Sequence, residues 1–519
     1  MFEDAYGRLP TTPISLAAVT LCMALVVCAI GRYYLQLRSH GPLPTVWPVI
    51  PIIGDAFQFL YTPLQYYQSC RSKYGSVFRC LIGNRRMIVI CDDVAIQGVL
   101  RDKSRILSTT TIHEDVSAAL LNVSPTASRY LPDILLPMSG DLLSMTGLVH
   151  IIPALNRSLH NYVERIKLSA NSRSNFLLST FVGEAIYGAV SVGVFGDNYP
   201  LSTFFDFESI DANFTNLLSG IPFLSRSSKS SRSRILAKVG EYIDDALRMA
   251  PRVTSMQLPD PAQKLLAILS DPDLSKKDRD GLLVMYIWGL HSSNVRTAFW
   301  LFAYLLNDPA TLRLVRDEID QTLSRDFPDF DSLLNAPPGV LDGPGFAYLT
   351  SAVKETLRMS SVITPVREVV EDTFITLSTG ETMPLRKGEF ITANLPMYHY
   401  SESDSPCNFR ADRYLVGEKS GKKVPYMPWG SGEHVCKGRF LAIHTLKMFT
   451  IMVLRSLDLS AVTKTGQPLT SPYLRGYETT FMQRWQMRTH TGLSLYIRPS
   501  IRSQVPSASQ GVLSDEGNH

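Results

Sequence analysis

Apolar and polar positions divide the chain into three kinds of segment. From Leu9 to Gly31 no residue is charged, and "ISLAAVTLCMALVVCAI", Ile14 to Ile30, is apolar at nearly every position. A helix of roughly 20 such residues crosses a hydrocarbon layer about 30 Å thick. The pattern predicts a transmembrane anchor over residues 13–35, preceded by a short segment, 1–12, that carries Glu3 and Asp4. Arg32 and Arg38 follow the apolar run, with Tyr33 and Tyr34 at the interface. Basic flanks stay cytosolic, so residues 1–12 are expected in the lumen and the rest of the chain in the cytosol. The rival, a cleaved signal peptide, expects a basic start, a shorter apolar run and a small-residue cleavage site.

"GPLPTVWPVIPIIGD", Gly41 to Asp55, holds four prolines between Pro42 and Pro51. Proline fixes φ and cannot continue a helix, so residues 36–55 read as a stiff connector. Beyond it, 56–500 show no repeat and no second linker, as expected of one large domain, and 501–519 form a polar tail expected to be disordered.

Within that domain "TPLQYYQSCRSKYG" predicts a helix, and "SVFRCLIG" and "RRMIVIC" predict short strands. Most of the middle reads as helix. "SKKDRDGLLVMYIWGLHSSNVRTAFWLFAYLLNDP", Ser275 to Pro309, begins with a charged, cap-like turn and ends at Asn-Asp-Pro. Apolar on nearly all sides, it is expected to run through the core. His291, Ser292, Ser293 and Asn294 interrupt it. Buried polar groups cost free energy unless satisfied, so these four either bond the backbone locally or line a cavity. "SRSSKSSRSR", Ser225 to Arg234, reads as a basic surface loop that could touch lipid.

Composition narrows the function. The 519 residues are 45% apolar and 19% charged, an ordinary globular balance. A net charge of +4, from 51 basic and 47 acidic residues, does not point to nucleic acid. Seven cysteines (Cys22, Cys28, Cys70, Cys80, Cys91, Cys407 and Cys436) are an odd set without a pairing pattern, as expected in a reducing compartment. No CxxC and no paired histidines suggest zinc.

One thiol stands apart. In "MPWGSGEHVCKG", Met427 to Gly438, Cys436 lies among glycines that let backbone approach a flat ligand closely. Amides converging on it are expected to lower its pKa and favour a thiolate, a metal ligand or a nucleophile. For a nucleophile His434 is a nearby base, but no third member is identifiable.

"WGSGEHVCKGR" resembles the cysteine-ligand loop of the cytochrome P-450 family, Phe-Gly-x-Gly-x-Arg-x-Cys-x-Gly. Gly430, Gly432, Cys436 and Gly438 match, while Trp429 replaces the phenylalanine and His434 the arginine that usually contacts a haem propionate. "ETLR" resembles the family's Glu-x-x-Arg pair, Glu355 and Arg358, one helical turn apart. "FRADRYL" resembles the segment supplying the third member, Arg413, and Arg367 in "TPVREVV" lies where the family places a propionate-binding arginine. "YMPWGSGEHVCKGRFLAIHTLK" and "YIWGLHSSNVRTAFW" look like the branch holding the bile-acid sterol hydroxylases and prostacyclin synthase. In register with the family's Ala-Gly-x-Asp/Glu-Thr stand Gly289, Leu290, His291, Ser292 and Ser293, so the acid is missing at Ser292 and Ser293 keeps an alcohol. A slip of one makes Asn294 the candidate.

The resemblance implies a mainly α fold with small β-sheets, haem b held by Cys436, and a thiolate that favours O–O cleavage. It implies insertion of one oxygen atom into a lipophilic small molecule (a terpenoid, sterol or polyketide of specialised metabolism), with electrons from NADPH through a reductase. Lys437, Arg439, Lys419, Lys422 and Lys423 could dock that reductase. It also implies an endoplasmic reticulum membrane location. Protons would come through waters held by His291, Ser293 or Asn294, or from a substrate hydroxyl. Positions resembling substrate-recognition regions are Trp288, His291, Ser292, the segment Val362, Ile363 to Val366, the loop Ile112 to Leu121, and Tyr477 to Phe481. The tryptophan-bearing helix that gives another propionate contact is not recognisable between His113 and Arg165. Two alternatives remain: an isomerase or dehydratase rearranging a peroxide without external electrons, and a non-enzymatic haem sensor or carrier.

Overall fold

A computed structural model describes residues 43–46, 54, 55, 58, 63–469 and 494–499, with isolated positions at 23 and 31. Within 63–469 it leaves out 83–84, 103–104, 170–174, 219–225, 250–258, 362–363, 401–407, 416–423 and 464–466. The anchor expected over 13–35, most of the proline-rich connector and the tail from 501 therefore lie outside the described residues, as do Val362, Ile363, Phe481, Lys419, Lys422 and Lys423.

The N-terminal part is a small α/β unit. Helix α1 (Pro63–Tyr74) leads into strands β1 (Val77–Ile82) and β2 (Arg85–Ile90), both at the positions the alternation predicts. Helix α2 (Asp93–Arg101) begins where the Asp92 carboxylate accepts from the amides of Val94 and Ala95, at 3.1 and 3.0 Å. Strand β3 (Leu107–Ser108) and helix α3 (Thr110–Leu121) follow. The stretch from Ile112 to Leu121 is thus helical, not a loop, because Leu120 and Leu121 on one end of it enter the core.

Helices dominate the rest: α4 (Ile152–Ser169), α5 (Leu178–Phe195), α6 (Phe204–Ala212), α7 (Arg226–Met249), α8 (Lys276–Asn307) and α9 (Ala347–Ser360). Strands β4 (Val366–Val369) and β5 (Phe390–Ala393) join the first sheet, whose order is β1-β2-β5-β4-β3. Helix α10 (Arg439–Ser456) then feeds β6 (Leu457–Val462), which pairs with β7 (Ser494–Pro499) in a second, three-stranded sheet.

The expected loop at Ser225–Arg234 is corrected. From Arg226 onward this segment is the first part of α7. Its buried positions, Ser228, Ser231, Ile235, Val239 and Tyr242, recur at helical spacing, while Lys229, Ser230 and Ser233 face out. Two serines occupy the inward stripe, so composition hides an amphipathic helix that its spacing keeps.

Helix α8 matches the expected span. Ser275 caps it, its hydroxyl accepting from the Asp278 amide at 3.1 Å, and Asp308 ends it by capping the next helix. Its second half is buried from Ala298 to Leu306, and Phe302 meets Phe181 of α5 and Phe449 of α10 at ring separations of 6.5 and 5.3 Å. Each such ring contributes about 1.5–3 kcal/mol through burial, so α5, α8 and α10 form one core. Among the described residues α5 alone is long and apolar enough to cross a bilayer, and it is mostly buried in that core.

Candidate functional site

The site begins at a tight loop. The Cys436 amide donates to the Trp429 carbonyl at 2.9 Å, Gly430 N donates to Met427 O at 3.2 Å, and Val435 N to Gly432 O at 3.2 Å. Closing this loop takes Gly430 and Gly432 to φ values of 69° and 70°, where side chains are disfavoured. Gly432 has a second reason to be glycine: a Cβ there would stand 2.4 Å from the Leu100 carbonyl oxygen of α2. Gly438 caps the start of α10, placing Cys436 at the positive end of that helix.

The Cys436 thiol is exposed on its open side, yet the protein around it still withholds water. Burial pushes its pKa up, against the lowering effects of the Gly438 amide and the Arg439 and Lys437 charges. The expectation of a depressed thiol pKa is corrected: without a further positive charge at the sulfur, desolvation outweighs the amide. A metal cation at the sulfur would supply that charge.

Beneath the loop lies a buried ionic network. Arg358 Nε and Nη2 donate to Glu355 Oε2 and Oε1 at 2.8 and 2.9 Å. Arg413 Nε and the Arg410 amide reach the same Oε1 at 2.9 and 3.2 Å. The network continues upward. Arg358 Nη1 donates to His399 O at 3.1 Å, and His399 Nε2 accepts from the Met427 amide at 2.9 Å, at the root of the cysteine loop.

Beside the cysteine three basic groups converge. Arg367 on β4 is buried, its Nη1 donates to Val366 O at 2.9 Å, and burial pushes its pKa down to about 10. His434 is lowered by burial and by Arg367, and His113 on α3 is lowered to about 4 by burial, then by Arg367 and His434. His113 Nδ1 is buried without a partner among the described residues. One guanidinium beside two imidazoles that burial keeps neutral is a set of donors that an anion would satisfy, and the carboxylates of a haem fit it together with the thiol. Sequence reasoning had Arg367 and His434 but missed His113, which only the folding of α3 over β4 brings in. Between His113 and Arg165, Gly140 and Leu143 adjoin the cysteine loop: a Cβ at Gly140 would stand 3.8 Å from Lys437 Cδ, and a Cβ at Gly438 would stand 3.8 Å from Leu143 Cδ1.

On α8 the interrupting residues point different ways. Gly289 and Ser293 are exposed, one turn apart, in an otherwise mostly buried stretch. A Cβ at Gly289 would meet nothing within 4 Å, so this stripe borders open space. The Ser293 carbonyl accepts from Thr297 Oγ1 at 2.9 Å. Ser292 is buried beside the stripe, and Asn294 is buried with Oδ1 unpartnered among the described residues. His291 turns away: its Nε2 lies 3.1 Å from Ser191 Oγ, its ring centroid 4.4 Å from that of Tyr187, and burial pushes its pKa down to about 3. Trp288 stacks on Phe214 at 5.1 Å and donates to Asp211 at 3.1 Å. Val366 opens β4, half-buried.

Comparison with known proteins agrees with this architecture. A model of the family described as Cytochrome P450 matches residues 44–474. The chain is 23% identical over 493 residues to a rabbit (Oryctolagus cuniculus) 7-alpha-hydroxycholest-4-en-3-one 12-alpha-hydroxylase, covering 89% of this chain and 95% of the relative. It is 23% identical over 469 residues to cytochrome P450 7A1 of Sus scrofa, covering 82% and 89%. To the prostacyclin synthase of Bos taurus it is 24% identical over 464 residues, again covering 82% and 89%. With the family matched across the cysteine loop and the helices that frame it, the chain belongs to the cytochrome P450 family and is a haem-thiolate monooxygenase whose cofactor is haem b.

Proposed function

We propose that the protein is a membrane-anchored monooxygenase that inserts one oxygen atom from O2 into a lipophilic small molecule, a sterol, terpenoid or polyketide of specialised metabolism. An NADPH-dependent reductase would supply the electrons, and the site would work at the cytosolic face of the endoplasmic reticulum. The observation that carries this reading is the open-sided Cys436 at the start of α10, supported by the open stripe at Gly289 and Ser293 on α8. Sterol hydroxylases among the relatives support the substrate class.

When bound, the haem supplies the oxidising chemistry; the protein supplies position, dryness and protons. Cys436 would hold the iron from one side, with Arg367, His434 and His113 on the propionates. Ser293, exposed on the open stripe of α8, would hold water there, with Asn294 buried next to it. Trp288, its indole fixed by Phe214 and Asp211, would form a rigid wall of the substrate space together with Val366. The exposed side of the cysteine loop, Lys437 and Arg439, would face the reductase.

A second reading is rearrangement of a peroxide without external electrons. It is favoured by the serine at 292 and by the similarity to prostacyclin synthase. The test is reconstitution with a reductase and 7α-hydroxycholest-4-en-3-one as probe. NADPH-dependent gain of one oxygen atom, seen by mass spectrometry, supports the monooxygenase. Turnover of a lipid hydroperoxide with no need of NADPH supports the isomerase. Absence of the thiolate-shifted Soret band from the ferrous carbon monoxide adduct would remove both.

A further inference from the structure

Residues 225–234, at the start of α7, hold four basic side chains, Arg226, Lys229, Arg232 and Arg234, and no acid. Ten residues thus carry a net charge of +4, as large as that of the whole chain. Arg226 and Lys229, then Lys229 and Arg232, stand three residues apart, a helical spacing at which like charges repel. The other six residues are serines, which favour helix ends over interiors. Charge and propensity therefore both work against the start of this helix.

Two of the cations hold neighbouring elements. Arg232 Nη1 donates to Leu120 O, at the C-terminal end of α3, at 3.3 Å. Arg234 presents one edge to α6: Nε and Nη2 donate to Asp206 Oδ1 at 2.8 and 2.6 Å. The Asp206 side chain is 7% exposed and that of Arg234 54%, so the pair is dry on the acid side and open on the guanidinium side. Toward that open side Arg234 Nη1 donates to Ser230 Oγ at 2.6 Å. Ser228 and Ser231 are buried, whereas Ser230 and Ser233 are exposed. The Ser233 hydroxyl donates to the Lys229 carbonyl at 3.1 Å; Ser230 Oγ is the one held by a guanidinium.

We propose that Ser230 is a phosphorylation site for a serine kinase that reads basic flanks, and that the phosphate locks α7 onto α6 through Arg234. Around Ser230 the sequence places Arg226 four residues before, Lys229 one before, Arg232 two after and Arg234 four after. In the transfer Ser230 Oγ attacks the γ-phosphorus of ATP, the bond from that phosphorus to the bridging oxygen breaks, and ADP leaves. The hydroxyl proton passes to the catalytic base of the kinase. Helix starts open most readily, since their first amides have no partner within the helix, so the kinase meets this segment unwound. The product brings a charge of about −1.5 to −2 and three acceptor oxygens to the outer edge of Arg234. It offsets the local excess of cations and turns a neutral contact at i,i+4 into an ion pair, while the Nε–Nη2 edge stays on Asp206. Helix α6 also carries Asp211, whose Oδ1 accepts from Trp288 Nε1 of α8 at 3.1 Å. A firmer α6–α7 pair therefore steadies the wall of the substrate space. This adds a control to the monooxygenase reading and rests on its cytosolic placement of the domain, where ATP and kinases are found.

The test uses the full-chain holoenzyme in lipid nanodiscs, treated with ATP and the catalytic fragment of protein kinase C. Peptide fragmentation is expected to place phosphate on Ser230, and Ser230→Ala should lose it while keeping the thiolate-shifted Soret band. Amide hydrogen exchange across 226–240 and 204–212 should slow on phosphorylation by about two- to fivefold, the effect of one surface ion pair. Arg234→Gln, phosphorylated to the same extent, should show no slowing. Phosphate confined to other serines would overturn the site. Exchange that is unchanged or faster in the Ser230-phosphorylated protein, or slowed equally in Arg234→Gln, would overturn the lock. Neither readout depends on turnover, so this proposal and the monooxygenase reading fail separately.

Discussion

Arg358 and Met427 are joined through one histidine: Arg358 Nη1 donates to His399 O at 3.1 Å, and the Met427 amide donates to His399 Nε2 at 2.9 Å. The ionic network under α9 and the loop that carries Cys436 are therefore one mechanical unit. Breaking a buried pair by removing one partner costs about 3–5 kcal/mol, because the other charge is left dry. Glu355→Gln should lower the thermal midpoint sharply and reduce haem content, measured by calorimetry and by the haem-to-protein absorbance ratio. Arg358→Lys should behave alike, since an ammonium cannot meet two carboxylate oxygens at once. An unchanged midpoint in either would separate the network from the loop.

Much of this was legible in the sequence. Element types for β1, β2, α1 and α8 follow from periodicity and caps, and the cysteine loop follows from its glycines. What stayed hidden depends on tertiary contact. Ser228 and Ser231 looked like a solvated loop because composition says nothing of which way a serine faces. His113 and Asp211 carry no motif: each matters only because α3 lies over Arg367 and α6 over Trp288 and Arg296. The polar cluster on α8 was visible, but its division between His291 facing α5 and Ser293 facing open space needed the helix set in its surroundings.

Two glycines should respond oppositely to alanine. At Gly432 a methyl meets the Leu100 carbonyl at 2.4 Å and the backbone at φ 70° resists it, so Gly432→Ala should abolish or largely reduce haem incorporation. At Gly289 a methyl meets open space on a helix, where alanine is favoured by up to about 1 kcal/mol. Gly289→Ala should raise the thermal midpoint while narrowing the substrate space, read as weaker sterol-induced spectral shifts. A destabilised Gly289→Ala protein would show that this stripe is packed rather than open.

Acid should destabilise the fold through two buried histidines. Burial pushes His291 down to about 3, and His399 to about 3 with help from Arg358, whereas both titrate near 6.5 when unfolded. Between those values the unfolded chain binds protons that the native chain does not, so stability is fully present above about 6.5 and falls as pH drops toward 3. Each histidine contributes a slope of up to about 1.4 kcal/mol per pH unit in that window. Denaturant unfolding from pH 7 to 5 measures it. His291→Gln, which keeps a partner for Ser191 but does not titrate, should flatten the slope by one histidine's share; an unaltered slope would mean His291 is protonated in the native state.

The convergence of Arg367, His434 and His113 makes a claim about which end of the cofactor they hold. Charged hydrogen bonds contribute about 1.5–3 kcal/mol, so Arg367→Gln should speed haem loss to a haem-scavenging apoprotein by roughly tenfold or more. His113→Gln should act in the same direction and less strongly. If these residues act on the propionates, the difference must vanish when the protein is loaded with haem dimethyl ester, whose carboxylates are capped. A penalty that persists with the ester would mean that Arg367 supports β4 and the wall of the site rather than the anionic edge of the haem, and the far-ultraviolet spectrum of the variant would then be expected to change as well.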